Sequence, residues 1–177
     1  AYPIIKGVAK FFMNFPLTQK GEDGKYHIYR TCTGEAYFGC TDGMENVAGM
    51  RAMVAVLLTA AGILGEDRDQ WDEWKRFAKD MAPLPTTAME GDTCELKEGD
   101  PVMWSNGREP ILDKDRHNAS LYPCDHFDLS SYATQDVDPD TYRISMDTVT
   151  AQIREVFRDE EKGTFLGREY DFSWCEP

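Results

Sequence analysis

Between Val54 and Leu64 the chain reads VAVLLTAAGIL, with Thr59 as its single polar residue. A helix that is apolar nearly all round has no face to give to water, so other elements must cover it on several sides. Val47, Met50, Val54, Leu57, Ala61 and Leu64 recur three and four apart, which predicts a helix from about Glu45 to Leu64 with Gly65 placed to cap it. Its companions are also visible. Ile4, Ile5, Val8, Phe11, Phe12 and Phe15 repeat at helical spacing, with Pro3 suited to the first turn and Pro16 ending the run. Trp71, Trp74, Ala78 and Met81 form one stripe in an otherwise charged segment from Asp67 to Met81, as an outer helix backing an inner one would. A last helix is predicted to start at Asp138 and Pro139 and to turn Tyr142, Met146, Val149, Ile153 and Val156 inward.

The connections are less regular. KGEDGKYHIYR reads as a turn leading into a short strand, and PVMW as a short extended piece. From Pro83 to Asp138 the chain is rich in Pro, Gly, Asp and Asn, and so long an irregular stretch in a compact domain is usually functional. At 177 residues the chain suffices for one domain with a sizeable core. The expected class is all-α, helical hairpins joined by long loops with short β segments.

Composition removes several functions. With 19 Lys and Arg against 32 Asp and Glu, the net charge of −13 would repel nucleic acid, and no basic cluster offsets it. No uninterrupted apolar run reaches the ~18 residues of a membrane span, so no membrane partner is expected. The five cysteines, at 32, 40, 94, 124 and 175, show no CxxC or Cys/His ligand spacing, so neither a metal nor another cofactor is expected. Cys32 and Cys40 suit either a short-loop disulfide or buried thiols. The chain opens at AYPII, already at a helix start, and so reads as processed or excised.

Chemistry has two candidate locations. In YRTCTGEAYFGCTDGMEN, Glu35 lies beside Tyr37 and Phe38, whose apolar surfaces would desolvate a carboxylic acid and raise its pKa; it equally fits a solvated loop carboxylate in an acidic protein. Asp42 and Glu45 follow closely, as they easily do among 32 acids. In DKDRHNASLYP, Asp115, Arg116 and His117 bring together a carboxylate, a guanidinium fork and a titratable ring. Asn118-Ala119-Ser120 matches a glycosylation sequon. Trp104, Tyr122, Phe127, Tyr132 and Trp174 would supply rings on which sugars stack, or would serve local loop packing. There is no glycine-rich phosphate loop and no Gly-x-Ser-x-Gly elbow.

Taken in order, three segments resemble one family. YPIIKGVAKFFMNF, then TGEAYFG followed by NVAGMRAMVAVLLTAAGILGED, then DRHNASLYPCDHF, is similar to the succession found in glycoside hydrolase family 95, the inverting alpha-L-fucosidases and their relatives. The resemblance implies an (α/α)6 toroid whose inner helices line an active-site cup. It implies that Glu35 is the general acid, that Arg116 and His117 contact an oligosaccharide or glycan substrate, and that the protein is secreted or periplasmic; Trp104, among the loop rings, is the further substrate-binding candidate. The chain departs from the pattern at Thr33-Gly34 before the glutamate and at Asp115 in place of a histidine, which bears on sugar specificity. Four predicted helices fall well short of a twelve-helix toroid, so the implied unit, residues 1–177, is a partial catalytic domain whose missing helices and general base lie elsewhere. The alternative is a carbohydrate-binding helical domain without catalysis.

Overall fold

A computed structural model describes residues 1–33, 37–88, 102–108 and 121–161, of which 151–161 are described by their backbone. Helix α1 (Tyr2–Asn14) is followed by two antiparallel hairpins, β1 (Thr18–Lys20) with β2 (Tyr26–Ile28) and β3 (Thr31–Thr33) with β4 (Tyr37–Cys40). The long helix α2 (Met44–Leu64) comes next, then a 3-10 turn at Arg68–Gln70 that runs directly into α3 (Trp71–Asp80). A third hairpin pairs β5 (Thr86–Ala88) with β6 (Val102–Trp104), and a one-turn helix α4 (Tyr122–Asp125) precedes α5 (Pro139–Glu161).

The core forms where α1 and α3 both pack on α2. Met50, Val54, Leu57 and Ala61 of α2 meet Ala9 of α1 and Trp74, Phe77 and Met81 of the α3 segment, with Ile5, Phe12 and Tyr26 closing the edges. Each fully buried Val, Leu or Met side chain contributes about 1.5–3 kcal/mol by leaving water. A second cluster joins Met44 and Ala48 at the start of α2 to Trp104, with Leu84, Tyr122, Phe127, Leu129 and Ile144 packed around them. As predicted, Gly65 ends α2 in the left-handed conformation, at φ 71°, and returns its N–H to Ala61 O.

Four expectations need correction. The fold is mixed α/β, not an all-α toroid: the described residues form three two-stranded antiparallel sheets beside the helices. The short strand expected in KGEDGKYHIYR and the extended piece PVMW are both present, and each pairs with a second strand that the sequence reading does not include, which satisfies backbone N–H and C=O groups along the paired stretches. Thr18 lies opposite Ile28, Cys32 opposite Phe38 and Thr86 opposite Trp104.

The second correction concerns α2, which is not buried all round. Val54, Leu57 and Ala61 are fully buried, whereas Val56, Ile63 and Leu64 are 46%, 79% and 57% exposed. Helices α1 and α3 cover part of the cylinder, and the remaining flank of the last turns faces solvent. The third concerns length. Read as a whole helix whose only charged residues are Glu45 and Arg51, α2 is long and apolar enough to cross a membrane by length and composition alone. Met50, Val54, Leu57 and Ala61 of that surface are buried in the cluster shared with α1 and α3.

The fourth concerns α5. Met146, expected inward, is 47% exposed, and Ser145 and Thr148 are buried instead. Polar residues take the inward face because Trp104 recruits them: its indole N–H donates to Ser145 Oγ at 2.9 Å and its backbone N–H to Thr148 Oγ1 at 2.8 Å. Cys32 and Cys40 are both thiols, and Cys40 Sγ lies 3.2 Å from Thr31 Oγ1.

Candidate functional site

The polar cluster of the molecule is assembled at the base of the β3–β4 hairpin. In the β1–β2 turn, Asp23 Oδ1 accepts the Lys25 N–H at 3.0 Å, and Gly24 takes φ 74° to close the turn. The strand that follows presents His27, which is 3% exposed. Its Nδ1 lies 2.5 Å from Asp42 Oδ2 and its Nε2 lies 3.1 Å from both oxygens of Asp23. Asp42, also 3% exposed, uses its other oxygen to accept the Ile28 N–H at 2.9 Å, while its own N–H donates to Ile28 O at 2.8 Å. Residues 27 and 42 therefore clamp together the two stems of everything between them.

From the far side comes the segment after β6. Asn106 O accepts the Met44 N–H at 2.8 Å, and the Arg108 N–H donates to Thr41 O at 2.9 Å. This brings the Arg108 guanidinium to 3.4 Å from His27 Nδ1. Asp23, His27, Asp42 and Arg108 together with the Pro83–Thr86 segment enclose a cleft of about 220 Å³. A second cleft, of about 270 Å³, lies between β1–β2 and α3, where Lys20 and Asp80 already pair at 2.9 Å.

Burial by itself would push the His27 ring toward its neutral form. The hydrogen bonds and charges of Asp42 and Asp23 outweigh that penalty and hold the pKa above its ordinary value of 6.5. The Asp23 carboxyl is held below its usual range, first by the Lys25 N–H and then by His27. When the ring is protonated, both nitrogens donate to carboxylates, and in that state neither offers a lone pair to a substrate. The cluster can hold a proton and present hydrogen-bonding groups. It does not work as a general base while Asp23 stays in place.

The hairpin above this clamp is fixed to the start of α2. Asn46 Nδ2 donates to Cys32 O at 2.9 Å, the Gly43 N–H reaches Thr31 Oγ1 at 3.3 Å, and Thr31 Oγ1 donates to Cys40 O at 3.1 Å. Gly43 permits this seat, because a Cβ there would meet Thr31 Oγ1 at 3.0 Å and Thr33 Cβ at 3.2 Å. On β4, Phe38 is 80% exposed. The three residues joining the strands, Gly34-Glu35-Ala36, fall outside the described residues, as do Arg116 and His117.

Trp104 is described, and it is not an exposed loop ring. It is 5% exposed, and its indole packs in the second core cluster against Met44 and Ala48. Tyr122 and Phe127 are half-buried against the same cluster, while Tyr132 is 77% exposed. The residues missed from sequence are Asp23, His27 and Arg108, with Asp42 noticed only as a neighbour of Glu35. Their one sequence signal was a lone histidine and an aspartate that bracket a predicted turn-rich segment. Among the described residues, no group of three or more His, Cys, Asp or Glu side chains is arranged to hold a metal ion. No protein-family model matches the chain, and no curated protein matches it.

Proposed function

We propose that the chain is part of an inverting glycoside hydrolase that cleaves an oligosaccharide, with Glu35 protonating the glycosidic oxygen. The observation that carries this reading is the ring of Phe38. It stands 80% exposed, three residues beyond Glu35, on a hairpin locked to α2 and stapled at its base by His27 and Asp42. A large ring held in water on a rigid stem suits the apolar face of a sugar, and the cleft beside His27 offers hydroxyl-binding groups in Asp23 and Arg108. In an inverting reaction a second carboxylate activates water about 6.5–9.5 Å from the acid. On this reading that base comes from outside the chain. Arg116 and His117 contact the substrate, and the protein acts outside the cytoplasm.

A second reading is glycan binding without hydrolysis. It rests on the same exposed Phe38 ring and on the polar cleft side chains Asp23 and Arg108, and needs no base at all. The test is calorimetric binding of a panel of neutral oligosaccharides, together with chromatography of the products. Phe38→Ala is expected to abolish binding. Glu35→Gln is expected to abolish hydrolysis by the protein that supplies the base and to leave binding intact. Binding without turnover selects the second reading, and absence of binding to any glycan overturns both.

A further inference from the structure

We propose that Asp23, His27 and Asp42 form a proton-operated latch, in which the protonated ring ties the β1–β2 turn to the base of the β3–β4 hairpin and loss of the proton releases Asp23 and the turn. The inference stands on the geometry of the cluster and does not depend on the glycan reading.

The two ends of the latch are unequal. The Asp42 carboxylate is buried, sits 2.5 Å from Nδ1 and is held in place by the Ile28 N–H. The Asp23 side chain is 50% exposed, sits 3.1 Å from Nε2 and belongs to a turn. A neutral ring keeps one N–H, and the shorter, buried bond keeps it on Nδ1. Nε2 then turns a lone pair toward a carboxylate that already has access to water. That contact becomes repulsive, and the exposed partner leaves.

The groups facing the ring come from three sides. Asp23 approaches from the turn, Asp42 from the entry to α2, and the Arg108 guanidinium from the segment after β6, at 3.4 Å from Nδ1. The Tyr29 ring lies 6.1 Å away, centroid to centroid. Both carboxylates favour the charged ring. The Arg108 guanidinium, as a like charge 3.4 Å from Nδ1, works against it by Coulomb's law and also stabilises the Asp23 charge. The turn is built to reach the ring. A Cβ at Gly21 would lie 2.8 Å from His27 Cδ2 and 3.0 Å from Asp23 Oδ1, so only glycine lets the turn close this far. Because Asp23 is part of one wall of the 220 Å³ cleft, its release widens the entrance.

The test is a pH titration of the full chain followed by nitrogen-15 NMR. It reads the two His27 ring nitrogens together with the backbone amides of Gly21, Gly24 and Lys25. Both nitrogens are expected to carry protons on the acidic side of the transition and to titrate with a midpoint above 6.5, the ordinary value. The three turn amides are expected to shift at that same midpoint, with faster hydrogen exchange above it. Asp23→Asn removes an exposed charge without touching the core, and is expected to lower the His27 midpoint. Gly21→Ala is expected to uncouple the turn amides from the ring. A His27 midpoint at or below 6.5, or turn amides unmoved through the titration, overturns the latch. An Asp23→Asn variant with an unchanged midpoint does the same.

Discussion

Arg51, in the middle of α2, reaches the carbonyl oxygen of Ala82 with two of its nitrogens, Nε at 3.0 Å and one terminal nitrogen at 2.6 Å, and the same terminal nitrogen lies 3.2 Å from Met81 O. The chain leaving α3 is thereby bound to the side of α2. Its other anchor is the Ala82 N–H, which donates to Tyr26 O at 2.9 Å. One guanidinium, with its pKa lowered by burial, thus organises the crossing of α2, α3 and β2.

Arg51→Met keeps much of the side-chain volume but leaves two carbonyls without a donor. It is expected to cost about 2 kcal/mol, the penalty for orphaned partly buried acceptors and a lost charge-assisted bond. Arg51→Lys should recover only part of this, since an ammonium cannot reproduce the planar fork. Urea denaturation of the three proteins measures the difference, and equal midpoints would show that the crossing holds without Arg51.

Leu57 tests the core directly. It is fully buried between α1 and α3, so Leu57→Ala should cost about 2–5 kcal/mol. Ile63, two turns on and 79% exposed, is the control, and Ile63→Ala should change stability by less than about 0.5 kcal/mol. Comparable losses at the two positions would contradict the one-sided burial of α2.

His27 should leave a signature in the pH dependence of stability. Its folded pKa is raised above 6.5 because Asp42 and Asp23 outweigh the burial that acts against the charged ring. The folded state therefore binds the proton more tightly than the unfolded chain. The resulting stabilisation is complete below 6.5 and disappears as pH rises through the folded value. Thermal melts of the wild type and His27→Gln should differ most on the acidic side of that window and converge above it. A gap that widens with rising pH would mean that burial of the ring dominates.

Asp67 acts in the opposite direction. Lys6 Nζ donates to Oδ1 at 2.6 Å and Tyr2 Oη to Oδ2 at 2.7 Å, which ties α1 to the turn before α3 and lowers the Asp67 pKa from 3.8. Burial, with the hydrogen bond to Asp67 behind it, pushes the Tyr2 phenol up to about 12. The carboxylate stabilises the fold above 3.8, and that contribution is lost as pH falls through the lowered folded value. Asn is among the residues that tolerate the left-handed conformation found here, φ 51°, so Asp67→Asn changes the charge and spares the backbone. This variant should unfold more easily at neutral pH, with a flatter acid limb, and its Tyr2 should ionise at lower pH in an ultraviolet titration. An unchanged Tyr2 titration would disconnect the two groups.

How far the sequence revealed all this depends on the kind of interaction. Helices α1, α2 and α3 follow from local periodicity and caps, and Pro16 and Gly65 stop two of them within a residue or two of the expected places. The hairpins were harder, because three- and four-residue strands carry almost no periodic signal and their pairing is set by residues far apart, as between Thr86 and Trp104. Trp104 reads as an exposed loop ring in the sequence for the same reason. Its burial depends on Ser145 and Thr148, more than forty positions away, which give its two N–H groups partners. His27 and Asp42, fifteen apart, become a pair only once β3 and β4 fold between them. Glu35 was singled out from its neighbours in sequence, and its place in the chain is at the junction of those two strands.

The last prediction concerns the uncovered face of α1. Ile4, Val8 and Phe11 follow one another four and three residues apart and are 73%, 36% and 59% exposed, while Ala9 on the opposite side is fully buried. Apolar rings and branched chains held in water in one stripe add nothing to the folded state that they would not also have when unfolded. Ile4→Glu places an acid in the first turn, where the helix dipole favours it, and the double variant Ile4→Glu, Val8→Glu should alter stability by less than about 0.5 kcal/mol. It should also reduce binding of a hydrophobic dye and raise the concentration at which the chain precipitates, since the exposed apolar stripe is broken by charge. Ala9→Glu is the contrasting case. It would put an unpaired charge at a site without solvent access, and losses above about 4 kcal/mol are the expected scale for that change. Calorimetric melting of the two variants decides the matter. A double variant as damaging as Ala9→Glu would mean that the Ile4–Val8 face is covered in the folded protein.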